Sequence, residues 1–268
     1  MDRESDSRRR RPLARSAILS VIPIYVPVGS WRIHPHLVFE LLAYTVGFQI
    51  YLRQRRAQGD VVDGHTRWSL IVAVVIGAAI GSRLLYWLEK PADLVAHWTD
   101  VEFLLGGKTV IGALLGGTIA VELTKHALGI TRRTGDLYAV PLAVGIAIGR
   151  IGCLLSGLED NTYGLPTSMP WGIDLGDGIH RHPVQVYEII VMLSLAVGLT
   201  VVQRRRHREG DVFRLLMVGY LTWRLLVDAL KPQPHILGPL SSLQIAAAAA
   251  LIYYAPDIRR WLTRGFAA

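Results

Sequence analysis

The chain has 268 residues, of which 51% are hydrophobic and 19% charged, and its 29 Lys and Arg against 21 Asp and Glu give a formal charge of +8. A chain this apolar, with positive mean hydropathy, does not fit two ordinary soluble domains and points to one polytopic membrane bundle. The basic residues fall in short runs between apolar stretches, which argues against nucleic-acid binding, and the single cysteine, Cys153, excludes a disulfide framework and a multi-thiolate metal site.

In chain order, Met1–Ser16 is an Arg-rich tail read as disordered. Ala17–Gly29, with Pro23 and Pro27, reads as a short interfacial segment and is too short and proline-broken for a span or a cleavable signal. Seven spans are predicted: Leu37–Leu52, Trp68–Leu88, Thr109–Leu123, Leu137–Leu155, Val184–Val202, Val212–Leu230 and Leu240–Tyr254. The expected fold is therefore all-α, a multi-pass helical bundle. Residues 1–30 form a basic tail and interfacial segment, and 31–268 form a single transmembrane domain.

Loop charges orient the bundle. One set of alternate loops holds fourteen basic residues: Arg53, Arg55, Arg56 and Arg67; Lys125, Arg132 and Arg133; Arg204, Arg205, Arg206 and Arg208; Arg259, Arg260 and Arg264. The other set holds four, Lys90, Lys108, Arg181 and Lys231, so the first set belongs in the cytoplasm. The basic N-terminus then lies outside, against the same rule. The long outer segment 156–182 carries Glu159, Asp160, Asp174 and Asp177, and reads as a periplasmic cap over the bundle.

Arg150 is the sharpest residue of the sequence, because it closes the run LYAVPLAVGIAIG from Leu137. A guanidinium at membrane depth costs at least ~2.5 kcal/mol unless it meets a cavity or an anion. Gly145, Gly149 and Gly152 beside it let a backbone or a lipid headgroup come close. The second intramembrane arginine is Arg224, with Asp228 four residues on and so on the same helical face; it either neutralises Asp228 or holds an anion. Two guanidinium forks facing one cavity suit a phosphodiester.

The motifs GRIGCLLSG from Gly149, PWG at Pro170–Gly172 and RHPVQVYE from Arg181 resemble those of the bacterial prolipoprotein diacylglyceryl transferases: a Gly-Arg in an apolar helix, a Pro-Trp pair, and RHPxQxYE. Arg224 and Asp228 match the family's arginine and carboxylate of the sixth span, with Asp in place of Glu. The resemblance implies a membrane enzyme of the bacterial plasma membrane that moves the diacylglyceryl group of phosphatidylglycerol to the lipobox cysteine of a prolipoprotein, releasing glycerol phosphate. Phosphatidylglycerol, the prolipoprotein signal peptide and the lipid bilayer are its expected partners, with no metal or cofactor.

On this basis Arg150, Arg224, His182 and Glu188 are expected to be catalytic, and Gly149, Arg150, Arg181, Tyr187, Gly112 and Gly116 to bind substrate. Three places depart from the family pattern. Ile111 replaces a histidine of the third span, Cys153 and Ser156 replace two asparagines, and the stretch Glu159–Gly164 is longer. Isoleucine cannot move a proton, so His36, His182, Glu40 and Glu188 are the candidate bases. Cys153 is read as a small packing residue. The alternatives are a divergent member that transfers lipid to another acceptor or only binds it, and a small anion transporter.

Overall fold

A computed structural model describes residues 23–266, apart from Arg206, His235 and Leu237. The expected tail and the first residues of the interfacial segment lie outside the described residues. The rest of that segment enters a hairpin, β1 (Val26–Val28) paired antiparallel with β2 (Trp31–Ile33), and the Ile24 N–H just before it donates to the Leu155 carbonyl.

Helices make up most of the remaining chain. They are α1 (Pro35–Gln58), α2 (Gly64–Glu89), the short α3 (Pro91–Ala96) and α4 (Val101–Gly106), then α5 (Val110–Ala127) and α6 (Asp136–Ser156). After a loop with the two-residue strands β3 (Ile173–Asp174) and β4 (His180–Arg181) come α7 (Val184–Gln203), α8 (Asp211–Val227) and α9 (Ser242–Arg264). Each predicted apolar segment falls on one of the long helices. Among the described residues, three stretches, Gly64–Glu89, Asp136–Asp160 and Val184–Gln203, are long and apolar enough to cross a membrane by length and composition.

Local chemistry explains the boundaries. Thr109 caps α5 by accepting from the Gly112 N–H, and Ser241 with Gln244 forms a reciprocal capping box at α9. α9 runs past Tyr254, where the apolar run ends, because its last turns are held by charge: Asp257 accepts from Arg214 at 2.6 Å and Arg260 grips Asp211 with both terminal nitrogens. At the same end, Asp136 accepts from the Gly210 and Phe213 N–H groups, tying α6 to the start of α8.

Packing runs α1 on α6, α6 on α7, α8 on α9, and α2 on α5. One core centres on Met192, Met217, Tyr220 and Leu221 with Ile111 and Leu114, and a second on Ala139, Ala143, Leu199 and Leu216. Gly81 and Gly112 face each other across α2 and α5, as do Gly77 and Gly116, so closely that a methyl on any of them would overlap the opposite carbonyl. The outer faces carry exposed apolar side chains, among them Val75, Ile76, Ile80, Leu193, Val197 and Ile252.

Candidate active site

Three helices bring charge into the core at one end of the bundle. Arg150 comes from the last turns of α6, Glu188 from the second turn of α7, and Arg224 with Asp228 from the end of α8. Their exposures are 8%, 1%, 6% and 4%, so all four depend on each other for charge compensation.

Arg150 Nε lies 3.0 Å from Glu188 Oε2, and Arg224 Nη1 lies 4.0 Å from that oxygen. Arg224 Nη2 is 2.9 Å from Asp228 Oδ1. These are ion pairs at charge-contact distance, but their N–H bonds are poorly aligned on the oxygens. Both Glu188 oxygens, both Asp228 oxygens and Arg224 Nε therefore lack an aligned hydrogen-bond partner among the described residues. Donors and acceptors that are buried, charged and loosely paired form a cradle with bonds still to give. A methyl on Gly149, the residue before Arg150, would meet nothing within 4 Å, so the helix face at that glycine is open.

Two residues of this cradle carry no mark in the sequence. Lys231 follows α8 in the loop DALKPQPH, where it reads only as an outer-loop charge, yet it is buried. Burial, with Arg224 and Arg150 close by, pushes its ammonium down to about 7. Glu89, the last residue of α2, is buried within electrostatic reach of Arg224, Asp228 and Lys231. No periodicity signals either residue, since tertiary packing of the loop ends puts them there.

The other motif residues build the roof. Trp171 Nε1 donates to the Tyr187 hydroxyl at 2.7 Å, and His182 Nδ1 lies 3.4 Å from the same oxygen, so the PWG and RHPVQVYE motifs meet at one phenol. Arg181 is committed to Asp177 by two bonds of 2.6 and 2.7 Å and stacks over Tyr163 at 5.1 Å, which holds β4 in place. The Arg181 bonds leave its fork occupied. The Asp177 carboxyl is lowered from its ordinary value chiefly because Arg181 donates to it.

Gly112 and Gly116 lie in the α2–α5 seam, and Ile111 is buried in the main core. Among the candidate bases, His36 Nδ1 lies 3.0 Å from Asp160 Oδ1, while Glu40 accepts from Tyr44 at 3.0 Å and lies 3.6 Å from Lys108 Nζ. Cys153 is buried on α6, with Arg150 Nη1 donating to its sulfur at 3.6 Å.

A model of the prolipoprotein diacylglyceryl transferase family matches residues 23–255. Curated relatives similar to this chain carry the name phosphatidylglycerol–prolipoprotein diacylglyceryl transferase. The one from Geobacter sulfurreducens is 31% identical over 243 residues, 82% of this chain and 85% of its own length. That of Bordetella bronchiseptica is 30% identical over 238 residues, covering 82% and 86%, and that of Thermotoga maritima 26% identical over 239 residues, covering 84% and 80%.

Proposed function

The chain belongs to the prolipoprotein diacylglyceryl transferase family, and on that premise we propose that it transfers the diacylglyceryl group of phosphatidylglycerol to the lipobox cysteine of a prolipoprotein. The acceptor sulfur forms a bond to the glycerol carbon that bears the phosphate, the carbon–oxygen bond breaks, and its electron pair leaves with glycerol phosphate. The thiol proton must be removed before or during attack, since a free thiol with pKa near ~8.5 is mostly protonated at neutral pH.

The observation that carries this reading is the pair of buried guanidiniums on facing helices, joined by one carboxylate, with Arg224 Nε unpartnered among the described residues. Charge grows on the phosphate as it departs, so cations fixed around it stabilise the transition state more than the ground state. Arg150 and Arg224 take that role. Glu188 holds both of them in place, and Gly149 leaves room for the headgroup. His182 and Tyr187 stand at the roof, where a peptide must pass. The seam position of Gly112 and Gly116 gives them a packing role, and they are left out of the proposed site.

The same reading makes the chain a multi-pass protein of the bacterial plasma membrane with seven spans. The fourteen-to-four loop charge ratio puts the 156–182 cap on the outer face, where exported precursors arrive. The purified full chain in phosphatidylglycerol vesicles is expected to raise the mass of a lipobox peptide by one diacylglyceryl group. No gain, with a relative active in the same vesicles, would refute the transfer.

A further inference from the structure

Beside the arginine cradle, a side chain from the start of α1 and two from the end of α6 and the turn after it converge on one point. His36 of the first turn of α1, Cys153 of α6 and Asp160 of the turn after α6 place one nitrogen, one sulfur and one oxygen within 4.8 Å of each other. We propose that His36 Nδ1, Cys153 Sγ and Asp160 bind one zinc-type dication, whose fourth position takes the sulfur of the acceptor cysteine. This rests on the transfer proposed above and names how its thiolate is made.

The spacing of the three donors is close to that of a metal shell. His36 Nδ1 lies 3.0 Å from Asp160 Oδ1 and 3.9 Å from Cys153 Sγ. A tetrahedral zinc with bonds of about 2.0–2.3 Å spreads its ligand atoms roughly 3.3–3.7 Å apart. The two edges at His36 come within a few tenths of an ångström of that spacing, and the Cys153–Asp160 edge is at most 4.8 Å.

The donor set selects the ion. Calcium and magnesium want an all-oxygen shell, whereas one imidazole, one thiolate and one carboxylate suit zinc and its neighbours. Thiolate and carboxylate together cancel the dication, so the filled site adds no net charge next to Arg150, whose own charge faces Glu188.

Two of the candidate ligands, Asp160 and Cys153, are also held from behind, as metal ligands are, and the third has a carboxylate nearby. The second ring nitrogen of His36 lies 4.0 Å from Glu40 Oε2. Asp160 Oδ2 accepts from the Thr162 hydroxyl at 2.8 Å, and the Cys153 sulfur accepts from Arg150 Nη1.

Three protein ligands with one open position are the pattern of catalytic rather than structural zinc sites. A thiol bound at that position loses its proton outright. Here the acceptor S–H displaces water and releases its proton to solvent, and the metal-bound sulfur attacks the glycerol carbon. The C–O electron pair leaves with the phosphate held by Arg150 and Arg224. The site and the phosphate cradle share Arg150, which puts nucleophile and leaving group on adjoining sides of one residue.

The test uses the full chain in detergent. Elemental analysis is expected to find about one zinc per chain, as the three-ligand site requires, and less than about a tenth of that in Cys153→Ala. Thr162→Val, which keeps all three ligands and removes the hydroxyl that donates to Asp160, is expected to bind with roughly ten- to a hundredfold lower affinity. After exchange into cobalt(II), the protein should show the visible bands of a four-coordinate ion and an ultraviolet thiolate band. A lipobox peptide should strengthen the thiolate band, and its Cys→Ser form should not. Wild-type protein that takes up neither zinc nor cobalt, or a Cys153→Ala protein with full metal content, overturns the site. A cobalt spectrum that ignores the peptide overturns the thiol role. Protein that holds cobalt and answers to the peptide, yet adds no diacylglyceryl mass while a relative does, upholds the site and refutes the transfer.

Discussion

Replacing Arg150 with lysine separates charge from geometry at the point where the two matter most. The lysine ammonium falls near the guanidinium carbon, within ion-pair range of Glu188, whose oxygen now stands 3.0 Å from Arg150 Nε. Folding is therefore expected to survive. What disappears is the outer pair of nitrogens, one of which donates to Cys153 while the fork as a whole can grip two phosphate oxygens at once. Losing one oriented donor to a transition state costs about 100- to 1,000-fold in turnover, some 2.7–4 kcal/mol. Arg150→Lys is thus expected to lower diacylglyceryl transfer on the order of a hundredfold. Arg150→Gln should be worse and also less stable, since it removes the guanidinium in contact with Glu188 and leaves Arg224 at 4.0 Å, and breaking a buried pair costs about 3–5 kcal/mol. The assay compares equal amounts of monodisperse protein, checked by gel filtration, in vesicles with a fixed peptide concentration. A lysine variant turning over at the wild-type rate would falsify two-pronged phosphate holding at this position.

Arg224→Gln and Asp228→Asn should each destabilise the protein, while the double variant regains stability because no lone buried charge remains; activity should stay as low as in Arg224→Gln, and recovery of activity in the double variant would reduce Arg224 to a structural partner. In a background whose Cys153 is unreactive because buried, Ser168→Cys should be labelled by impermeant thiol reagents in intact cells and Arg204→Cys protected; the reverse pattern would invert the bundle. Lys231 sits just past the end of α8 with its ammonium pushed down to about 7 from an ordinary 10.5, so between those values the unfolded chain binds more protons than the folded one. Stability should therefore rise with pH from about 7 towards 10 in wild type relative to Lys231→Met, as followed by thermal melts; parallel pH profiles would mean that Lys231 keeps its proton.

Long apolar runs make the helices readable, because each needs only local hydropathy and a cap such as Thr109 or Ser241 to define it. The arginines are readable for the opposite reason, since a charge inside such a run has no bland explanation. Glu188 comes with its motif. Lys231 and Glu89 cannot be read, because each lies at a helix end where charge is ordinary, and only the fold buries it. The end of α9 escapes the sequence because its last turns depend on Asp211 and Arg214, which belong to another helix. Cys153 reads as packing because its neighbours in sequence are apolar, while the polar residues that meet it, His36 and Asp160, arrive from α1 and from the turn after α6.

The glycine seam between α2 and α5 also decides where a lipid can travel. Backbones that meet at Gly81 and Gly112, and again at Gly77 and Gly116, leave no width for an acyl chain, so these two helices act as one continuous wall. A two-tailed donor bound for Arg150 must come in along a different junction of the bundle, and its thioether-linked product must leave by one as well. Bulkier side chains in the seam would then split the wall without widening any route that the lipid uses.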